Sequence, residues 1–207
     1  MAAPNPKIIL SELNSRLSNQ VELTLFGRAA LNLGFDPPIN EKKSRLTHDV
    51  DVIVALDQEK SLDQNDDFWQ AVEKANNNLS DKQLYLNHIF LESQIIIGTG
   101  WKERRQKIIL PELDKLILFR PSCMDLVLTK MARANDLEDR KDIVQLLIRG
   151  NLTAADMEEA FRIARYPDEE DLIEQFDQAK AFIRLQYQKQ REKKGAPKHG
   201  RGRRAPL

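Results

Sequence analysis

Two carboxylates stand side by side in the stretch Thr47-His48-Asp49-Val50-Asp51-Val52-Ile53-Val54. Its apolar alternation predicts a strand, and on a strand alternate residues share a face. Asp49 and Asp51 then project together, while Val50, Val52 and Val54 line the opposite face. Two like charges so close repel each other, and a divalent cation between their oxygens relieves that repulsion. The bland alternative is a strand with one solvated face, so the surroundings must decide.

Two other groups of residues bear on that choice. Upstream, Gly27-Arg28-Ala29-Ala30 reads as a strand-to-helix turn. Free backbone N–H groups at a helix start take phosphate, and Arg28 adds a charged fork for a polyphosphate. Arg45-Leu46-Thr47 leads directly into the acid pair. Downstream, helical spacing puts Leu126, Lys130 and Arg133 on one face, and Asp139 and Asp142 on one face of the next helix. That pattern also fits a salt-bridged helical hairpin at the surface. Against this, Lys130 sits among Leu126, Val127, Leu128 and Met131, so it either snorkels or is aimed into a polar site. Taken jointly, phosphates over the turn and a metal on the carboxylates make a site for phosphoryl or nucleotidyl transfer.

Elements that position these groups follow from periodicity. Lys7 to Asn19 has a helical stripe, and Val21 to Phe26 alternates as a strand that stops at Gly27. Phe35 to Leu46, with Pro37-Pro38 and Lys42, Lys43 and Arg45, reads as a mobile basic loop. Asp63 to Leu79 is helical. Gln83 to Ile97 is strand-like, Gly98-Thr99-Gly100 breaks it, and Lys115 to Arg120 forms another strand. From Ser122 onward the signal is helical, over about 122–134, 137–149, 153–165 and 168–190. Ser122 with Asp125, and Thr153 with Asp156, have capping-box spacing. The expected fold is α+β, a small mixed sheet of four or five strands with flanking helices and a C-terminal helical subdomain. The expected divisions are a core over 1–120, the helical subdomain over 121–190, and a disordered basic tail over 191–207.

The chain has 207 residues, 32 Lys or Arg against 32 Asp or Glu, and one cysteine. The zero net charge hides an asymmetry: from Lys189 on, eight bases face one acid, Glu192, which leaves the body acidic. Such a tail suits nucleic-acid phosphate, or serves only as a solubilising end. Trp101-Lys102-Glu103-Arg104-Arg105 is a second candidate RNA contact, or else a solvated helix face. Cys123, without a partner, reads as a small apolar residue at a helix start. No apolar run reaches the roughly 20 residues of a membrane helix, and no basic-then-apolar leader is seen, so a cytoplasmic protein with no membrane partner is expected. His48 reads as a loop-orienting residue and His88 as an ordinary sheet residue.

Leu25-Phe26-Gly27-Arg28, Asp49-Val50-Asp51-Val52 and the later Asp125-Leu126, Lys130, Arg133, Asp139 and Asp142 together resemble the nucleotidyltransferase superfamily, over about Val21 to Leu147. The later part looks like its bacterial toxin-type branch, the abortive-infection (AbiEii) and related toxin–antitoxin enzymes and their uncharacterised relatives. The resemblance implies transfer of a nucleoside monophosphate from a nucleoside triphosphate with Mg2+ or Mn2+. It implies RNA, especially tRNA, as acceptor, and an antitoxin protein as a possible partner. By position, Asp49 and Asp51 would hold the metal, and Lys130 and Asp142 would complete the catalytic set. Gly27, Arg28, Thr47, Arg133 and Asp139 would bind nucleotide. Two features depart from the pattern: Arg28 stands where a small residue is usual, and the later strand offers Asn87, with Glu92 just beyond, where many members have a third carboxylate. An inactive nucleotidyltransferase fold that binds nucleic acid or protein is the alternative reading.

Overall fold

The computed structural model describes residues 3–133, 135–167 and 169–195. Most of the expected basic tail, 196–207, lies outside them. The chain opens with helix α1 (Asn5–Arg16), started by Pro6, whose fixed φ and missing N–H suit a first turn. Strand β1 (Val21–Phe26) runs straight into α2 (Gly27–Leu33), and after a short α3 (Glu41–Ser44) comes β2 (Asp49–Val54). Next are α4 (Leu56–Asp63), α5 (Asp66–Leu79) and β3 (Tyr85–Leu91). The short strands β4 (Ile97–Gly98) and β5 (Gln106–Ile108) precede β6 (Leu116–Arg120). The C-terminal half holds α6 (Cys123–Lys130), α7 (Leu137–Arg149), α8 (Ala154–Ile163), β7 (Ala164–Arg165) and α9 (Glu170–Gly195).

The main sheet has the order β3-β2-β1-β6-β5. It is mixed: β2 is antiparallel to β1 but parallel to β3, β6 is parallel to β1, and β5 closes the edge antiparallel to β6. β4 and β7 form a separate two-stranded pair that joins the sheet half of the chain to the helical half. This is the α+β architecture of a small nucleotidyltransferase-like fold.

The alternation of β2 decides where the core lies. Val50, Val52 and Val54 are buried in the main core with Ile9, Leu10 and Leu13 of α1 and Phe68, Ala71, Val72 and Ala75 of α5. Fully burying each large side chain contributes about 1.5–3 kcal/mol, which fixes the register of the strand. On the other face Ile53 packs with Ala55, Ile97 and Trp101 in a smaller cluster, and Asp49 and Asp51 occupy that face toward the start of the strand. The helical half packs through Leu126, Val127 and Leu128 of α6 against Ile143 and Leu146 of α7 and Phe176 of α9 in the main core.

Both predicted N-caps form. Ser122 Oγ accepts from the Asp125 backbone N–H at 3.2 Å, and Thr153 and Asp156 make a complete reciprocal box. Cys123 begins α6 and is buried. Two local readings need correction. Segment 35–46 is anchored rather than mobile: Ile39 and Ser44 are buried, Asn40 donates to Asp142, and Arg149 donates to the carbonyls of Asp36 and Pro37. Residues 56–63, unassigned from the sequence, form α4, which buries none of its residues and so carries no apolar stripe to read.

Candidate active site

The end of β1 meets the start of β2, and that places the site. Phe26 pairs with Asp51, so the turn after β1 lies beside the acid pair. Gly27 occupies this turn with φ +59°, in the left-handed region. A Cβ there would stand 2.6 Å from Oδ2 of Asp51. Glycine is therefore required twice, for the backbone angle and for the close approach of the carboxylate. Gly27→Ala is expected to destabilise the protein by about 1–2 kcal/mol through backbone strain alone. It is also expected to weaken divalent-metal binding at least tenfold by displacing Asp51, which thermal unfolding and a metal titration would measure.

Thr47 is buried behind the pair and donates from its hydroxyl to Oδ1 of Asp49 at 2.7 Å, so it orients that carboxylate. His48 contacts the Gln83 carbonyl, bridging the loop to the start of β3. His88 is a sheet residue with a satisfied ring, as expected, and the partner that satisfies it is the acid pair. Its Nδ1 lies 3.1 Å from Oδ1 of Asp51 and 3.8 Å from Oδ2 of Asp49. Asp49, Asp51 and His88 offer ligand atoms that all lie within 4.8 Å of one another. Burial, reinforced by the Asp49 charge, pushes the Asp51 carboxyl up to about 6. Both causes favour a cation at this spot, and the donors suit a divalent metal.

A cavity of about 350 Å3 opens over these residues, within the range of roughly 300–1,000 Å3 usual for small-ligand sites. Gly27, Asp49, Asp51 and His88 line one side, and Lys130 and Arg133 the other. Ile95, Ile96 and Leu172 supply apolar wall.

Behind the cavity lies a network of buried charges. Lys130 donates to Oδ1 of Asp139 at 2.7 Å and stands 2.8 Å from Oδ2 of Asp142. Both carboxylates are fully buried. Arg133 reaches Oδ2 of Asp139 at 2.7 Å, and Asn40 donates to Oδ1 of Asp142 at 2.9 Å. Arg28 comes within 3.9 Å of Asp142, and its Nη1 is buried without a hydrogen bond. Asp136 caps α7, accepting from the N–H groups of Glu138 and Asp139 and so fixing Asp139 toward Lys130. The structure thus gathers Gly27, Asp49, Asp51, Lys130 and Arg133 around one cavity. Asp139 and Asp142 form a second layer that holds Lys130, with Arg28 beside Asp142, and Asp142 does not join the group of Asp49, Asp51 and His88.

Trp101 to Arg105 is engaged internally. The Trp101 ring is 3% exposed, its indole N–H donates to Glu92, and it offers no face on which a base could stack. Lys102 pairs with Asp57, Arg105 with Glu22 beneath the Phe119 ring, and Arg104 makes a two-pronged bond to buried Asp125. That last clamp sits against Gly98, where a Cβ would meet both Arg104 and Asp125 within 3 Å.

A mixed sheet carrying two carboxylates at the start of one strand, a glycine turn against them and basic side chains across a cavity fits the nucleotidyltransferase class. The comparison with known families agrees: residues 7–193 match the family described as "Nucleotidyltransferase of unknown function (DUF6036)". The chain belongs to that family. No curated protein and no solved structure gives a significant match. Nucleotidyltransferases generally use divalent metals, and the Asp49, Asp51 and His88 donors fit one. Among the described residues no helix is long and apolar enough to cross a membrane.

Proposed function

We propose that the protein moves a nucleoside monophosphate from a nucleoside triphosphate to an acceptor hydroxyl, with RNA as the acceptor. The observation that carries this reading is the single cavity on which Asp49 and Asp51 face Lys130 and Arg133. Asp49 and Asp51 hold Mg2+ or Mn2+, which when bound neutralises charge on the triphosphate and the transferring phosphorus. Gly27 lets Asp51 approach closely, and Thr47 fixes Asp49. Lys130, steadied by Asp139 and Asp142, and Arg133 present positive charge to the triphosphate from the opposite wall. Arg28 completes the positive side from the second layer.

Support for an RNA acceptor comes from the sequence of the tail, eight bases and one acid from Lys189 onward. The toxin role, with an antitoxin partner that restrains it, rests on the resemblance of the 125–142 region to toxin-type members. The deciding assay incubates the purified protein with each labelled nucleoside triphosphate, divalent metal and total tRNA. Label on RNA, lost in Asp49→Asn, is expected; label on protein instead would move the acceptor to another class. The competing reading is an inactive binding module, favoured by the absence, among the described residues, of a third carboxylate beside the pair. Metal and nucleotide binding without transfer to RNA, protein or water would select it. Growth arrest on expression, relieved by Asp49→Asn, is the expected sign of a toxin.

A further inference from the structure

We infer that His88 is the third protein ligand of the metal, and that its imidazole tunes the site toward a first-row transition-metal cation over Mg2+. This rests on the reading of Asp49 and Asp51 as metal carboxylates and adds to it a donor and a selectivity.

The backbone supplies the first reason. β2 and β3 pair Val50 with Leu86 and then Asp51 with His88, so Asn87 is the extra residue of a bulge. In a regular ladder Asn87 would stand opposite Asp51. A bulge re-aims one side chain at a defined position, and here it exchanges a neutral amide for an imidazole beside two carboxylates. After the bulge the pairing resumes through Ile89 with Val52 and Leu91 with Val54. The displacement is therefore confined to the place where it changes the chemistry.

Donor spacing supplies the second. On an octahedron with bonds of about 2.1 Å, adjacent donors lie about 3 Å apart. His88 Nδ1 is 3.1 Å from the Asp51 oxygen and 3.8 Å from the Asp49 oxygen, so one ion can be touched by all three with small side-chain rotations. The His88 ring is packed 5.6 Å from that of Phe90, which itself meets Phe26 edge-on, and this limits its swing. Binding through Nδ1 places the ring proton on Nε2.

The selectivity follows from ligand chemistry. Mg2+ is a hard ion that prefers oxygen donors and keeps its waters, whereas imidazole nitrogen favours transition ions in the order Mn2+, Fe2+, Co2+. A site of two carboxylates and one imidazole leaves room for triphosphate oxygens on the same ion while penalising Mg2+ relative to Co2+ or Mn2+.

The test uses the full chain without nucleotide. Competition titrations would give the affinity ratio of Co2+ to Mg2+ for the native protein, His88→Gln and His88→Asp, and pulsed electron paramagnetic resonance would look for nitrogen coupling on bound Mn2+. The native protein is expected to show an imidazole nitrogen coupling. Both variants, which fold because His88 is a half-exposed strand residue, are expected to lose that coupling and at least tenfold of the Co2+ preference. Metal bound with no nitrogen coupling, or a ratio unchanged in His88→Gln, would overturn the inference and leave the acid-pair reading standing. Failure of the native protein to bind Mn2+ or Co2+ would overturn both.

Discussion

Asp51→Asn is expected to make the metal-free protein more stable while abolishing its metal binding and transfer. In the fold, burial and the Asp49 charge raise the Asp51 carboxyl from its ordinary 3.8 to about 6. The folded state therefore prefers the protonated acid. The stability this confers is fully present below about pH 4 and is lost as pH rises through about 6, so at neutral pH the ionised carboxylate opposes folding. Since a tenfold change in proton affinity corresponds to roughly 1.4 kcal/mol, the penalty reaches about 3 kcal/mol. An amide of the same shape removes the charge and with it the penalty. Chemical denaturation is expected to show the metal-free native protein losing stability relative to the Asn variant as pH rises from 4 to about 6. At pH 7 the variant should unfold at higher denaturant, and saturating metal should raise the midpoint of the native protein only. A variant less stable than the native protein at pH 7, with no change in their difference between pH 4 and 6, would show that Asp51 is not held in this environment. Activity is expected to fall by at least a thousandfold, since the metal clamp is a dominant source of transition-state stabilisation.

The second large effect lies behind the cavity. Lys130→Ala is expected to destabilise the protein by about 3–5 kcal/mol, because removing one partner from a buried ionic cluster strands the charges that remain. Asp139 and Asp142 are both fully buried, and without Lys130 their polar neighbours among the described residues are Arg133, Asn40 and distant Arg28. Replacing the lysine and both acids together (Lys130→Met with Asp139→Asn and Asp142→Asn) is expected to recover much of that loss, since neither carboxylate is then left charged without its lysine. Denaturant unfolding of the single and triple variants measures this directly. Under the proposed function both should lack transfer, because neither keeps Lys130 on the cavity wall. A single variant within about 1 kcal/mol of the native protein would contradict the buried ionic cluster.

Much of this was legible in the chain because it is local. The β1–Gly27 turn, the strand with alternating Asp and Val, and the C-terminal helices each carry their pattern within a short stretch of sequence. Ser122 and Thr153 announced their caps by spacing alone. What was not legible depends on residues far apart in sequence. The bulge that brings His88 opposite Asp51 is a property of two strands, not of either. Trp101 looked like a stacking platform beside a run of bases, but its burial against Ile53 and Ile97 depends on a strand far upstream. The basic 35–46 segment looked loose because its anchors, Asp142 and Arg149, lie far along the chain in α7. The apolar neighbours of Lys130 left two readings open, snorkelling or a polar site, and the structure buries it against Asp139 and Asp142. That Asp139 and Asp142 serve to hold it, away from the acid pair, needed the packing of α6 on α7.

The clamp of Arg104 on Asp125 and the pairing of β4 with β7 tie residues of the sheet half to residues far later in the chain. The acid pair, the glycine turn and His88 are all present once β3 has been made. The wall that faces them is not, because Lys130 and Arg133 come later and Leu172 later still. Closing those long loops costs entropy that only the finished contacts repay. A chain made from its N-terminus thus carries the acid pair before the residues of the facing wall exist, and the cavity closes only when Leu172 of α9 packs over it.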